Sequence, residues 1–131
     1  MISQKILLID DDLDDQELFL DALATVDAKT ECLVANDGLE ALNLLQDLLP
    51  AMPDLIFLDL NMPRMDGIKF LQEVKAIEGI KDIPVLVYST SNQAQKQVGA
   101  LGTVDYLVKP DNFNSLCEII TAALSKDWRK V

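Results

Sequence analysis

The chain has 131 residues, 50% of them apolar, which is enough to bury one core of domain size. It carries 22 acidic residues against 11 Lys and Arg, and its formal net charge of −11 repels the phosphates of nucleic acids. Histidine is absent, which excludes Ser-His-Asp triads and histidine metal sites. Because of the negative net charge, we expect a protein that does not bind nucleic acid directly.

The first residues, "MISQKILLIDDD", contain too short an apolar run for a signal peptide or a membrane-spanning helix. We expect a cytoplasmic protein without membrane contact. Cys32 and Cys117 fall in a predicted strand and a predicted helix. In the cytoplasm such cysteines are more often separate buried thiols than a disulfide or a metal pair.

Five short apolar runs recur along the chain, and each precedes a segment whose apolar residues have helical spacing. In chain order the runs are "KILLI" (5–9), "ECLVA" (31–35), "LIFL" (55–58), "PVLVY" (84–88) and "YLV" (106–108). The fourth helical segment is the weakest, because it contains Gly99 and few apolar residues, and Gly102 is placed to close it. We therefore predict a short or mobile fourth helix.

The apolar runs are nearly continuous rather than alternating, which indicates strands buried on both faces, as in a parallel sheet. Five strand-helix units with short connections predict an open α/β sheet with helices on both sides. We expect a single domain over 1–131, with its core at about 5–125 and a short tail at 126–131. In that tail, Trp128 is either an anchor for the end of the last helix or an exposed contact for a partner.

Polar residues follow four of the five predicted strands. In an open α/β sheet the ligand lies beyond the carboxyl ends of the strands, so these residues should meet at one edge. They are Asp10, Asp11 and Asp12 after the first strand, Asp59 after the third, Ser89 and Thr90 after the fourth, and Lys109 and Pro110 after the fifth.

This edge has the composition of a magnesium site that faces a phosphoryl group. Two carboxylates about 5 Å apart repel by roughly 3 kcal/mol at an effective dielectric near 20, so several of them need a cation. Oxygen ligands without His or Cys suit Mg²⁺. Lys109 and Ser89 would neutralise the oxygens of a transferring phosphoryl group, and Asp59 is placed to attack phosphorus as a nucleophile.

The pattern resembles the receiver domain of two-component response regulators over residues 5 to about 125. The resemblance is carried by Asp10 and Asp11 after "ILLI", Asp59 in "FLDLNMPRMDG", Ser89 after "PVLVY", and Tyr106 with Lys109 and Pro110 in "VDYLVKP". It implies a flavodoxin-like (βα)5 three-layer sandwich with a parallel five-stranded sheet in the order 2-1-3-4-5.

The resemblance also implies a role for each matching residue. Asp59 would accept the phosphoryl group, and Lys109 would pair with that group. The peptide bond between Lys109 and Pro110 would be cis. Mg²⁺ would be bound by Asp11 directly, by Asp10 largely through water, by Asp59, and by the backbone carbonyl of Asn61. Ser89 would swing toward the phosphate and let Tyr106 move inward. Pro63 and Gly67 would fix the turn after the acceptor.

The same resemblance implies the partners. A sensor histidine kinase or a histidine phosphotransfer protein, or a small acyl phosphate, would supply the phosphoryl group, and the domain would later hydrolyse its own acyl phosphate. With no output domain attached, we expect the signal to leave through a downstream protein or a homodimer. Thr90 is larger than the Ala or Gly often found there. It is expected to narrow the access of water to the phosphate, which the dephosphorylation rate of Thr90→Ala would test.

Two alternatives remain beside this interpretation. A haloacid-dehalogenase-like phosphatase would use Asp10 as its nucleophile, with Asp12 and Ser89, but it would leave "LDLNMPRMDG" without a role. A scaffold that has lost phosphorylation would keep the fold alone. The other acids of "DDLDD", namely Asp12, Asp14 and Asp15, are interpreted as solvated residues at the start of a helix.

Overall fold

A computed structural model describes residues 5–62 and 65–130, in which strands and helices alternate along the chain. The five strands form one parallel sheet in the order β2-β1-β3-β4-β5, which confirms the predicted topology. Their bounds are Lys5–Ile9 for β1, Glu31–Ala35 for β2, Leu55–Leu58 for β3, Val85–Ser89 for β4 and Asp105–Val108 for β5.

Five α-helices follow the strands, and a short 3-10 helix, Trp128–Lys130, comes last. Side chains cap four of the α-helices: Asp12, Asp37, Asp66 and Asn112 each accept a hydrogen bond from a backbone N–H of the first turn. The helices are α1 (Leu13–Val26), α2 (Gly38–Leu48), α3 (Gly67–Val74), α4 (Gln95–Ala100) and α5 (Phe113–Ser125).

Two apolar cores lie on the two faces of the sheet, and alternate residues of each central strand point into one or the other. Ile6 and Leu8 of β1 belong to the core covered by α1 and α5, whereas Leu7 and Ile9 belong to the core covered by α2, α3 and α4. All four side chains are fully buried. The molecule is therefore the expected three-layer sandwich, which leaves the strand ends as the accessible edge.

Burial on both faces holds for the central strands but not for the edges. Every residue of β1, β3 and β4 is buried except Lys5, while most residues of β2 and β5 are only partly buried. An edge strand has a neighbour on one side only, so an apolar run predicts burial less well there. Cys32, in the edge strand β2, is accordingly a half-buried free thiol. Cys117, in helix α5, is also free and half-buried.

The fourth helix is short, as predicted, and the end of the fifth is held by Trp128, whose role the sequence left open. Helix α4 has six residues and buries Val98, and Gly102 follows it with a φ of 91°. Trp128 is 9% exposed and its indole N–H donates to the carbonyl oxygen of Ala123 at 2.9 Å, so it anchors the end of α5. Among the described residues, no helix has the length and hydropathy needed to span a membrane.

Candidate functional site

The register of the sheet brings Asp10 and Asp59 side by side. Ile9 of β1 is paired with Leu58 of β3, so the next residue of each strand is an aspartate. The Asp59 N–H donates to the carbonyl oxygen of Ile9 at 2.9 Å, which holds the two strand ends together. Asp10 is 0% exposed and Asp59 is 7% exposed, so both carboxylates are held by a rigid, buried backbone.

Gly67 fixes the path of the backbone that follows Asp59. Its N–H donates to the carbonyl oxygen of Leu60 at 3.0 Å, where α3 begins. A Cβ atom at this position would lie 2.7 Å from the carbonyl oxygen of Asp59, too close for any side chain without movement of the backbone. The predicted turn at Asp66-Gly67 is therefore present. Pro63, the other residue predicted to shape it, lies outside the described residues.

Lys109 extends from the end of β5 into the group of acids. Its ammonium lies 2.7 Å from Asp10 Oδ2, 2.8 Å from Asp15 Oδ2 and 3.5 Å from Asp59 Oδ2. Burial by itself lowers the pKa of Lys109, but the hydrogen bonds to Asp10 and Asp15 outweigh it and raise the pKa above its ordinary value. The side chain is therefore a fixed positive charge at any physiological pH.

Asp59 is the acid that its surroundings perturb most clearly. Burial raises its pKa to about 6, and the nearby Asp10 carboxylate acts in the same direction. The Lys109 ammonium and the N–H groups of Asn61 and Leu60 oppose this shift without cancelling it. A cation bound beside Asp59 would therefore stabilise the ionised form of its carboxylate.

Three of the acids fit a hard divalent cation. Carboxylate oxygens of Asp10, Asp11 and Asp59 lie within 4.8 Å of one another, and Asp11 is exposed while the other two are buried. An all-oxygen donor set with one open side is the arrangement that Mg²⁺ prefers. Asn61 is exposed and adjacent, with its N–H donating to Asp59 Oδ1 at 3.4 Å. The ligand role of its carbonyl stays a prediction.

Ser89 and Tyr106 line a cavity of about 150 Å³ next to this cluster, together with Asn61 and residues at the start of α4. Ser89 is 2% exposed. The Tyr106 ring is half-buried against the core on the α4 side, and its hydroxyl donates to the carbonyl oxygen of Ser91. Tyr106 is thus turned toward the loop that follows Ser89. Thr90, in that loop, is exposed.

One expectation about this edge is wrong, and another is incomplete. Leu49–Pro50 is the only cis peptide bond among the described residues, so the Lys109–Pro110 bond is trans. The trans isomer of an X-Pro bond is favoured by about 0.5–1 kcal/mol, and the Lys109 ammonium reaches its acids from this conformation. Asp15 lies in the first turn of α1 and is partly exposed, as expected, but it also pairs with Lys109, which the interpretation as a solvated residue did not include; Asp12 caps α1.

Gln16 is a further residue of the site that the sequence interpretation missed. It is buried, and its side-chain amide donates to the carbonyl oxygen of Asp10 and, at 2.8 Å, to Asn36 Oδ1. It therefore ties the ends of β1 and β2 together. The spacing of Asp15 and Gln16 with Phe19 and Leu23 indicated that both lie toward the sheet side of α1, but it did not indicate their partners.

Comparison with known proteins agrees with this geometry. A family model described as the response regulator receiver domain matches residues 6–121. The chain is 37% identical over 106 residues to the probable C4-dicarboxylate response regulator DctR of Bacillus subtilis, an alignment covering 81% of this chain and 46% of that protein. It is 34% identical over 121 residues to response regulator Rcp1 of Synechocystis, covering 88% and 82%.

Solved structures show the same likeness. The phosphorylated cyanobacterial phytochrome response regulator RcpA is similar with a TM-score of 0.83 at 34% identity, over 92% of this chain and 91% of that one. The Mn²⁺-bound form of Rcp1 is similar with a TM-score of 0.80 at 32% identity, over 98% and 96%. The chain spans less than half the length of DctR, and most of Rcp1 and RcpA.

Receiver domains bind Mg²⁺ in an acidic pocket at the strand ends, take a phosphoryl group from a histidine kinase onto an aspartate, and act on downstream targets. In this chain, Asp10, Asp11 and Asp59 form an acidic cluster at the same strand ends. The family model covers most of the chain, and the sheet order, the acids and the lysine are those that the resemblance implies. This chain belongs to the response regulator receiver family, the phosphorylated switch domains of two-component signalling systems.

Proposed function

We propose that Asp59 is the phosphoacceptor of this receiver domain. One observation carries the proposal: Asp59 is the buried acid whose carboxylate oxygens have long contacts, 3.4 Å to the Asn61 N–H and 3.5 Å to Lys109, beside a hydrogen bond from the Leu60 N–H. Asp10 is engaged more tightly, since its two oxygens accept from the Asp12 N–H at 3.0 Å and from Lys109 at 2.7 Å. Asp59 is thus the better nucleophile.

In the proposed reaction an Asp59 oxygen forms a bond to phosphorus while the bond from phosphorus to the donor breaks. The donor nitrogen or oxygen leaves with the electron pair, and the product is an acyl phosphate. Lys109 is positioned to neutralise a phosphoryl oxygen, and Ser89 is proposed to donate its hydroxyl to another. Mg²⁺, held by Asp10, Asp11, Asp59 and the Asn61 carbonyl, would supply charge neutralisation for the same oxygens.

The switch is proposed to run through the cavity beside the site. A phosphoryl group adds about −1.5 to −2 of charge at Asp59, which draws the Ser89 hydroxyl toward it. Tyr106 shares that cavity with Ser89, so a change at Ser89 alters its packing and the hydrogen bond to Ser91. The output surface would then comprise α4, β5 and α5, although the six residues of α4 offer little area.

The partners follow from the same chemistry. We propose that a sensor histidine kinase or a histidine phosphotransfer protein is the donor, and that a downstream protein or a second copy of the chain receives the signal. A net charge of −11 speaks against direct binding to nucleic acid. The two free thiols suit a reducing compartment, which supports the expectation of a cytoplasmic protein.

The proposal is tested by labelling with radioactive acetyl phosphate, with Mg²⁺ or with a chelator. The wild type should incorporate label only with Mg²⁺, and Asp59→Asn should incorporate none. Asp47→Asn, which removes one charge in α2, is the matched control and should label like the wild type. Label that persists in Asp59→Asn would reject the acceptor, and an unlabelled wild type would favour the scaffold.

The phosphatase alternative makes the opposite prediction and is measured in parallel. It requires turnover of several phosphate esters that is lost in Asp10→Asn and kept in Asp59→Asn. The structure offers it little support, because the Asp10 carboxylate is fully buried and already carries an ammonium on one oxygen.

A further inference from the structure

We propose that Asp15 competes with the phosphorylated acceptor for the Lys109 ammonium, and that this competition weakens the phosphorylated state. The inference rests on the proposed role of Asp59. It concerns a residue of helix α1 that lies outside the cluster of acids able to hold a metal ion.

The distances show where the ammonium is held. Charge-assisted hydrogen bonds between an ammonium and a carboxylate are typically about 2.7–2.9 Å long. The bonds from Lys109 to Asp10 and Asp15, at 2.7 Å and 2.8 Å, lie in this range, whereas the Asp59 oxygen is 3.5 Å away. The ammonium is therefore drawn toward β1 and α1 and is withheld from the acceptor.

The burial of the partners shows which contact can be exchanged. The side chain of Asp10 is 0% exposed, so it cannot turn to water, while that of Asp15 is 32% exposed. A phosphoryl group carries more charge than a carboxylate and has three acceptor oxygens. When it forms on Asp59, the contact with Asp15 is the one that Lys109 can give up, because water can solvate the released Asp15 carboxylate.

The surroundings favour a small movement of the ammonium rather than a large one. The Tyr88 ring lies 5.3 Å from the Lys109 nitrogen, close enough for a cation–π attraction, and the lysine side chain is only 8% exposed. Asp10 and Tyr88 therefore keep the ammonium in the site after Asp15 has lost it. The free energy needed to break the contact between Lys109 and Asp15 therefore reduces the free energy gained when Lys109 binds the phosphoryl group.

The test uses beryllofluoride, which mimics a phosphoryl group on a carboxylate without a covalent transfer, and measures its affinity by calorimetry at fixed Mg²⁺. Asp15→Asn should bind it about fivefold more tightly than the wild type, the size expected for one partly solvated charge pair. Asp15→Ala should act in the same direction. Asp14→Asn, an exposed neighbour in the same turn, removes the same charge and is expected to leave the affinity unchanged.

The outcomes separate this inference from the function on which it rests. Equal or weaker binding by both Asp15 variants would overturn it, and weaker binding is what a merely structural role of Asp15 predicts. Equal tightening in Asp14→Asn would attribute the effect to net charge and would also overturn it. A wild type that binds no beryllofluoride would overturn the proposed acceptor and this inference together.

Discussion

Replacement of Asp59 by Asn should stabilise the protein in the absence of metal. The wild-type carboxylate is buried beside Asp10, and both burial and the neighbouring charge make its ionised form unfavourable. Asparagine has the same shape and no charge. Lys109 keeps two closer partners in the variant, Asp10 and Asp15, so it is not left as an unpaired charge.

The magnitude follows from the pKa of Asp59, which is raised from 3.8 to about 6. A difference of about two pH units between the folded and unfolded states corresponds to roughly 3 kcal/mol, at 1.36 kcal/mol per unit. Since the folded pKa is the higher one, the folded state binds more protons between these values, and stability falls as the pH rises through this window. This loss of folding stability is complete above about pH 6 and absent below about pH 4.

The assay is urea denaturation of both proteins in a chelator across this pH range. The free energy of unfolding of Asp59→Asn minus that of the wild type should be near zero at about pH 4 and should rise to at most about 3 kcal/mol above pH 6. Subtraction of the two curves removes the contributions of the acids that do not interact with Asp59. A flat difference, or a variant less stable than the wild type above pH 6, would refute the electrostatic account of this site.

Further changes test the metal site and the turn beside it. Mg²⁺ at 100 times its dissociation constant should stabilise the wild type by about 2.7 kcal/mol, and Asp11→Asn should lose most of this gain in a thermal-shift assay while matching the wild type in a chelator. Gly67→Ala should lose about 1–3 kcal/mol of unfolding free energy, because its Cβ would meet the Asp59 carbonyl oxygen. In Gly99→Ala the added carbon would meet nothing within 4 Å beyond its chain neighbours and the backbone of its own helix, so this variant should instead gain up to about 1 kcal/mol; urea denaturation measures both variants, and equal effects would contradict the packing argument.

The sequence predicted the elements well because its apolar runs are short, separate and sharply ended. The predicted bounds of the first three strands are those of the structure, and the last two differ by one residue. The positions of Asp10 and Asp59 follow directly, since each is the first residue after a buried run. Their proximity was predictable from the parallel sheet alone, because such a sheet gathers the carboxyl ends of its strands at one edge.

The role of Asp15 could not be obtained in the same way. A strand alternates its side chains with a fixed period, but the direction in which a helix presents its first turn depends on how it packs. Helix α1 packs against the sheet through Phe19 and Leu23 and also contacts α5, and only that placement aims Asp15 at Lys109. The acid run "DDLDD" therefore mixed three roles that its letters did not separate: site acid, helix cap and lysine partner.

The isomer of the Lys109–Pro110 bond was beyond reach for a different reason. The free energies of the cis and trans isomers of an X-Pro bond differ by only about 0.5–1 kcal/mol, so the sequence alone does not predict the isomer. The expectation of a cis bond came from the resemblance alone. The ammonium position is set instead by the β4–β5 register, in which Ser89 is paired with Val108 and the Lys109 N–H donates to the Ser89 carbonyl oxygen at 2.7 Å. The strand pairing delivers the lysine to the acids from a trans bond.

These placements divide the site into a fixed part and an exchangeable part. Asp10, Asp59 and Ser89 lie at the ends of three adjacent central strands, and each is nearly or fully buried, so their backbones cannot move without disrupting the core. Asp15 stands on a helix and is one-third exposed. We therefore expect a charge added at Asp59 to be answered by rotation of the Ser89 hydroxyl, by a small shift of Lys109 away from Asp15, and by the loop beyond Ser89, which the Tyr106 hydroxyl contacts at Ser91. The proposed switch would then take its direction from the groups that the sheet leaves free to move.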